Sequence, residues 1–213
     1  MKFVAALLIV ALTSSEARSE CADPAKLESD LKIMRVVLDI KGREHAAAVQ
    51  AYEAALAAER RRALVCYVTA GHPDPGQSVT LLRGIAAAGA DVIEIGVPFS
   101  DPMADGPVIQ QSSQIALDHG VSLERTLHIV RDAALDVPVV LFSYLNPIIA
   151  GGPDVLARAR AAGVDGVLVT DLPVGADPAR EEWFGASGLD FVRLVAPTTP
   201  APRMAEIARH GGG

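Results

Sequence analysis

Ala86-Ala87-Ala88-Gly89-Ala90-Asp91-Val92-Ile93-Glu94-Ile95 has two echoes further along the chain. One is Ala161-Ala162-Gly163-Val164-Asp165-Gly166-Val167-Leu168-Val169; the other is Ala186-Ser187-Gly188-Leu189-Asp190-Phe191-Val192-Arg193-Leu194-Val195. Each copy reads as a helix end, a glycine, one apolar residue, an aspartate and a strand. The glycine stops the helix because a left-handed terminal residue is cheap only without a Cβ. The strand that follows is apolar with little alternation, the pattern of a parallel strand covered on both faces.

Working outward, strands are expected at 63–69, 91–95, 137–142, 166–169 and 191–195. Helical patterns fall between and after them, at 78–88, 108–119, 123–134, 153–162, near 179–184 and at 203–209. This alternation means parallel strands with right-handed crossovers. Two folds compete, an open doubly wound sheet and a (β/α)8 barrel. A doubly wound nucleotide binder would carry a glycine-rich fingerprint after its first strand. The first turn is instead Thr69-Ala70-Gly71-His72-Pro73-Asp74-Pro75, and no phosphate-loop pattern occurs anywhere. Polar, proline-bearing loops follow strand after strand, at 71–75, 98–106, 143–147, 171–173 and 197–200. A barrel enzyme builds one site from many such loops, so the barrel is the expected fold.

Composition narrows the function. Of 213 residues, 50% are apolar and 21% charged, a globular balance that excludes a disordered tail or a coiled-coil rod. A net charge of −7 argues against nucleic-acid binding, which usually needs a basic face. Cys21 and Cys66 are the only cysteines, too few for a disulfide framework or a four-cysteine metal site, and the five histidines lack metal-binding spacing.

The N-terminus reads apart from the rest. Met1 and Lys2 precede an apolar run from Phe3 to Leu12, and small and polar residues lead to Ala17. Residues 1–17 have the shape of a secretory signal, too short for a membrane anchor. The competing reading is a start assigned upstream of the true one, with Met34 as the alternative. Leu27, Leu31 and Met34 recur at helical spacing, and a second helical run extends from about 45 to 61. Arg60, Arg61 and Arg62 close it, either as a solvated helix end or as a phosphate patch. Residues 1–44 are therefore expected to be an extension and 45–213 a barrel domain.

Glu94 is the most informative residue. A carboxylate inside the apolar strand Val92-Ile93-Glu94-Ile95 is costly to desolvate unless it has a partner or a task. Burial would raise its pKa toward the range of a general acid/base at neutral pH. The competing reading is an outward-facing glutamate paired with a covering helix. Asp105, in the proline-punctuated loop that follows, either receives a substrate N–H or locks the loop by bonding its own backbone.

Glu94 through Gln110, E-I-G-V-P-F-S-D-P-M-A-D-G-P-V-I-Q, closely resembles the signature of the tryptophan synthase alpha chain family. So do Y-V-T-A-G-H-P from Tyr67, F-S-Y-L-N-P from Phe142, V-T-D-L-P from Val169 and V-A-P-T-T-P from Val195, in the same order and at similar spacing. The long block is highly specific and the short ones weak alone; together they cover roughly residues 47–211. The resemblance implies a (β/α)8 barrel, in the cytoplasm, that cleaves indole-3-glycerol phosphate to indole and glyceraldehyde 3-phosphate by a retro-aldol reaction, as a lyase of tryptophan biosynthesis. It implies no cofactor in this chain, and an alpha2beta2 heterotetramer with a beta chain that carries pyridoxal phosphate. It makes Glu94 the general acid/base and Asp105 the group that holds the indole N–H. Tyr67, Tyr144, Leu168, Thr170 and Leu194 match the substrate pocket, though each alone would be read as core packing. Pro98, Asp101, Asn146 and Asp171 fall in loops that face the beta chain.

Two departures stand out. The first-strand loop reads Gly71-His72-Pro73 where the family usually has an aspartate between these residues. The chain also ends at Gly213, where a sixth strand would begin, so about five of eight β/α units are expected. The family's strand-six tyrosine and phosphate-binding loops have no counterpart here. The 213-residue chain is accordingly expected to be inactive alone. The alternatives are a non-catalytic barrel fragment that binds a partner, or an exported protein if residues 1–17 act as a signal.

Overall fold

The computed structural model describes residues 64–211. The signal-like segment 1–17, Cys21, Met34, the helical runs before residue 62 and the three arginines lie outside the described residues.

Among the described residues, five β/α units follow one another. Strand β1 (Val65–Thr69) leads to helix α1 (Pro75–Ala87), and β2 (Val92–Gly96) to α2 (Pro107–Asp118) and α3 (Leu123–Ala133). Next come β3 (Val139–Ser143), α4 (Leu145–Ala150) and α5 (Val155–Ala162). Then β4 (Gly166–Val169) precedes α6 (Pro178–Gly185), and β5 (Asp190–Val192) precedes α7 (Ala201–His210). The strands form one parallel sheet in the order β1-β2-β3-β4-β5. A doubly wound sheet reverses its strand order and carries helices on both faces. Here the order is sequential, and the helices' buried side chains join those from one face only, so the sheet is an arc of a (β/α)8 barrel.

Alternation along each strand separates the two faces. Ile93, Ile95, Val139, Leu141, Val167, Val169 and Phe191 point to the helices and share a core with Leu82, Leu127, Val130, Leu156 and Phe184. Fully burying a side chain of this size contributes about 1.5–3 kcal/mol, which makes this layer the main source of stability. Val92, Val140, Leu168 and Val192 point the other way and form a smaller cluster on the inner face, with Val65 and Phe142 packed against it.

The repeated Gly-x-Asp has a physical explanation in both residues. Gly89, Gly163 and Gly188 have φ values of 101°, 101° and 73°, the left-handed region that turns the chain from helix toward strand. The Asp91 carboxylate accepts the Leu64 N–H at 2.7 Å, and that of Asp165 accepts the Val139 N–H at 3.1 Å. Asp91 and Asp165 thus secure the starts of the preceding strands β1 and β3, keeping each in register with its neighbour.

Helix starts obey capping rules. Asp74 accepts the Gly76 N–H at the start of α1, and Asp177 that of Arg180 in α6; each precedes a proline at the first helical position. Strand and helix limits mostly fall within three residues of the expected ones. Strand β5 is shorter, ending at Val192 rather than 195. The segment expected as a polar loop at 143–147 instead runs into helix α4. Pro147 does not prevent it, because it lies in the first turn, where a backbone N–H has no helical partner to lose.

Candidate active site

Glu94 lies in the middle of β2, where the alternation turns its side chain to the inner face, opposite Tyr67 on β1 and Val140 on β3. It is 2% exposed, and its Oε1 has no hydrogen-bond partner among the described residues. The outward-facing, helix-paired reading therefore fails: the helices pack against Ile93 and Ile95, not Glu94. Removal from water without a compensating partner pushes its pKa up to about 7.

Tyr67 covers this carboxylate's neighbourhood. Its ring packs edge-on against Phe142 with centroids 5.3 Å apart. It lies directly over Gly96: a Cβ there would sit 2.1 Å from the Tyr67 hydroxyl oxygen. Burial, opposed by a hydrogen bond from Thr69 and reinforced by the charges of Asp105 and Glu94, pushes the Tyr67 phenol up to about 12. Both acidic groups therefore lie near enough for one phenol to feel their charge.

Asp105 arrives on the loop between β2 and α2. The Tyr144 hydroxyl donates to its Oδ2 at 2.9 Å and accepts the Ala104 N–H at 2.8 Å. This corrects the alternative in which Asp105 locks its loop through its own backbone: the carboxylate is held by a tyrosine from β3's end, while its backbone carbonyl accepts from Gln110. Burial raises the Asp105 pKa and the Tyr144 bond opposes the rise. Burial foremost pushes Tyr144 up to about 12. Its ring packs on Phe99, centroids 5.0 Å apart.

The remaining expected pocket residues divide. Leu168 is fully buried on the inner face. Thr170 continues that face two residues later, and its buried hydroxyl has no partner among the described residues. Leu194 continues the inner side of β5 but is 41% exposed and lies outside the cluster. Of the four loop residues, Pro98 is buried, whereas Asp101, Asn146 and Asp171 are exposed. Asp101 accepts from the Ser100 hydroxyl, and Asp171 accepts the Leu145 N–H at 2.7 Å.

Sequence reasoning missed Phe142 and the Thr69–Ser112 pair. Phe142 stands two residues before Tyr144, so period-two alternation carried the signal. The hydroxyls of Thr69 and Ser112, 2.7 Å apart and buried, tie β1 to α2; no local pattern joins residues so far apart in sequence. Among the described residues no group of three His, Cys, Asp or Glu could hold a metal ion, and no helix is long and apolar enough to cross a membrane.

The arrangement is an inner face lined with aliphatic and aromatic side chains, with one buried acid of raised pKa in it and a second carboxylate at its rim. Such a face can take an apolar ligand and offer it a proton donor and a hydrogen-bond acceptor. Residues 54–213 match the family model of the tryptophan synthase alpha chain. The tryptophan synthase alpha chain of Chromobacterium violaceum is 52% identical over 157 residues, covering 72% of this chain and 60% of that protein. That of Laribacter hongkongensis is 51% identical over 164 residues, 75% of this chain and 62% of that protein. The crystal structure of the Legionella pneumophila alpha subunit aligns at a TM-score of 0.69 with 40% identity, covering 74% of this chain and 62% of that one. A Mycobacterium tuberculosis tryptophan synthase structure aligns at 0.69 with 32% identity, covering 75% and 65%. The chain thus spans about 60% of the length of the curated relatives it matches.

Proposed function

The chain belongs to the tryptophan synthase alpha chain family, and from that premise we propose that its site serves the retro-aldol cleavage of indole-3-glycerol phosphate to indole and glyceraldehyde 3-phosphate. The observation that carries this reading is Glu94, an acid buried among apolar side chains with its pKa near 7. Near neutral pH such a group is present in both protonated and ionised forms, as an acid/base catalyst requires.

In the proposed mechanism the protonated Glu94 delivers its proton to the indole ring carbon that carries the glycerol chain. Positive charge then develops at the ring nitrogen. Asp105, held by Tyr144, accepts the indole N–H and stabilises that charge, a role that a carboxyl fixed in place by a second side chain suits. With the ring carbon protonated, the carbon–carbon bond breaks and its electrons return to the ring; the glycerol fragment leaves as an aldehyde as its hydroxyl proton passes to the Glu94 carboxylate, which is thereby protonated again. Tyr67, Phe142 and Leu168 supply the apolar walls, and Tyr144, Thr170 and Leu194 the pocket's upper edge.

This chemistry needs no cofactor from the chain. A beta chain bearing pyridoxal phosphate is the proposed partner, engaged in an alpha2beta2 assembly through the loops of Pro98, Asp101, Asn146 and Asp171. The cytoplasm is the proposed compartment, where amino-acid biosynthesis takes place.

The test is indole release from indole-3-glycerol phosphate. It is run on the chain with and without a beta chain, and on the chain fused to the remaining segment of the Chromobacterium violaceum relative. A folded fusion should release indole, and Glu94→Gln should slow that release by about 100-fold or more. A folded fusion that releases none, or whose rate Glu94→Gln leaves nearly unchanged, overturns the reading.

A further inference from the structure

Arg193 is the one cation on the helix-facing side of the sheet among the described strand ends. It stands one residue beyond β5, and its side chain is 7% exposed. The guanidinium lies 3.8 Å above the Phe191 ring and meets Glu181 of α6, itself 10% exposed, at 2.7 Å. The same guanidinium donates to the Leu172 carbonyl at 2.9 Å. The other oxygen of Glu181 accepts the Gly175 N–H at 2.7 Å. One buried ion pair therefore grips the 171–177 loop at two points, and Arg203 of α7 adds a third through the Val174 carbonyl at 2.7 Å.

A buried ion pair is a poor device for stability alone, because desolvation offsets much of the attraction and an apolar pair of similar volume often serves as well. Its distinctive product is geometry. The planar fork of an arginine reaches two acceptors in fixed directions, which a lysine does not.

The loop so held begins with Asp171, whose carboxylate accepts the Leu145 N–H. Leu145 opens helix α4, and the residue preceding it, Tyr144, provides no side-chain cap. Asp171 thus caps that helix from a neighbouring strand. Tyr144 in turn holds Asp105. Contacts run unbroken from Arg193 to Leu172, Asp171, Leu145, Tyr144 and Asp105.

We propose that Arg193, with Glu181, is a positioning residue that holds the 171–177 loop and, through Asp171 and Tyr144, the carboxylate of Asp105. The catalytic meaning of this clamp rests on the role proposed for Asp105; the clamp itself does not.

The test uses no substrate, so a failure of the lyase reading would leave it untouched. Arg193→Met/Glu181→Met replaces the ion pair by apolar side chains of similar length, and Glu181→Gln is the second variant should the double one not fold. Arg83→Met is the control, since Arg83 clamps the carbonyls of Asp132 and Ala133, away from this chain of contacts. Two quantities are read by NMR: hydrogen exchange of the Leu145 amide, and the Tyr144 titration, resolvable because the chain has only three tyrosines. In the folded clamp variant Leu145 should exchange at least about 10-fold faster, and Tyr144 should titrate nearer an ordinary tyrosine. Arg193→Lys should fall between, and Arg83→Met should match the parent. Unchanged exchange and titration in whichever clamp variant folds overturns the proposal, as does an equal change in the control.

Discussion

Tyr144 and Asp105, 39 residues apart, are joined by a hydrogen bond of 2.9 Å in which the phenol donates to the carboxylate. The same phenol oxygen accepts the Ala104 amide, so one side chain at the end of β3 fixes both the backbone and the carboxylate of the β2–α2 loop. Tyr144→Phe removes both bonds and little volume. We expect a stability loss of about 1.5–3 kcal/mol, the range for a lost hydrogen bond to a charged group. The Asp105 pKa should rise further, because the bond opposes the effect of burial. Urea unfolding and a carboxyl-carbon NMR titration of Asp105 check the two halves; an Asp105 pKa that fell would contradict the account.

Glu94 should make the protein less stable as pH rises. Its carboxyl is raised from 4.5 to about 7 on folding, so between these values the folded state holds a proton that the unfolded state has lost. Stability is highest below the unfolded value, falls through the interval and levels off above about 7. The full effect is on the order of 3 kcal/mol. Glu94→Gln removes it, so the variant should exceed the parent in stability at pH 8 and approach it near pH 4. Denaturant midpoints across this range are the measurement, and a gap independent of pH would refute the assignment.

Activity should follow the same group in a fusion that releases indole. The acid that donates to the ring carbon must be protonated, so kcat should decline as pH rises through about 7. Glu94→Gln should lower kcat by about 100- to 10,000-fold, the usual contribution of a positioned acid or base. A profile flat from pH 6 to 9 would exclude Glu94 as the proton donor.

Gly96 is fixed by a neighbour rather than by its backbone. A Cβ at this position would meet the Tyr67 hydroxyl oxygen at 2.1 Å and its ring carbons at 2.6 and 2.9 Å. Gly96→Ala should therefore cost about 1–3 kcal/mol, the usual penalty for overpacking, and displace the ring from Phe142. Paired with Tyr67→Ala the cost should shrink, because the clash has been removed. A thermal-unfolding double-mutant cycle reads the coupling; strict additivity would mean that the two residues do not compete for this space.

Much of the architecture was legible from local pattern. Gly89, Gly163 and Gly188 marked helix ends because only glycine takes the left-handed turn cheaply, and each is left-handed in the fold. The apolar runs after them became strands covered on both faces. Helix α4 was not legible, because Pro147 and the polar residues around it read as a turn, and only a first-turn position makes that proline harmless. The end of β5 was overestimated because the run Phe191-Val192-Arg193-Leu194-Val195 stays β-like in composition after its pairing with β4 stops.

The site divided along the same line. By itself the sequence determined that an acid stood in an apolar strand and that a second carboxylate followed within one rigid loop, since both facts depend on neighbours along the chain. Only the tertiary structure decided which face Glu94 took. That outcome depends on the described helices packing against one side of the sheet, which strand periodicity does not encode. It also decided that Asp105 is held by Tyr144 and that Asp171 caps the helix beginning at Leu145. Those bonds join segments that follow different strands, and their partners meet because parallel pairing in sequential order sets the carboxyl ends of neighbouring strands side by side along one edge.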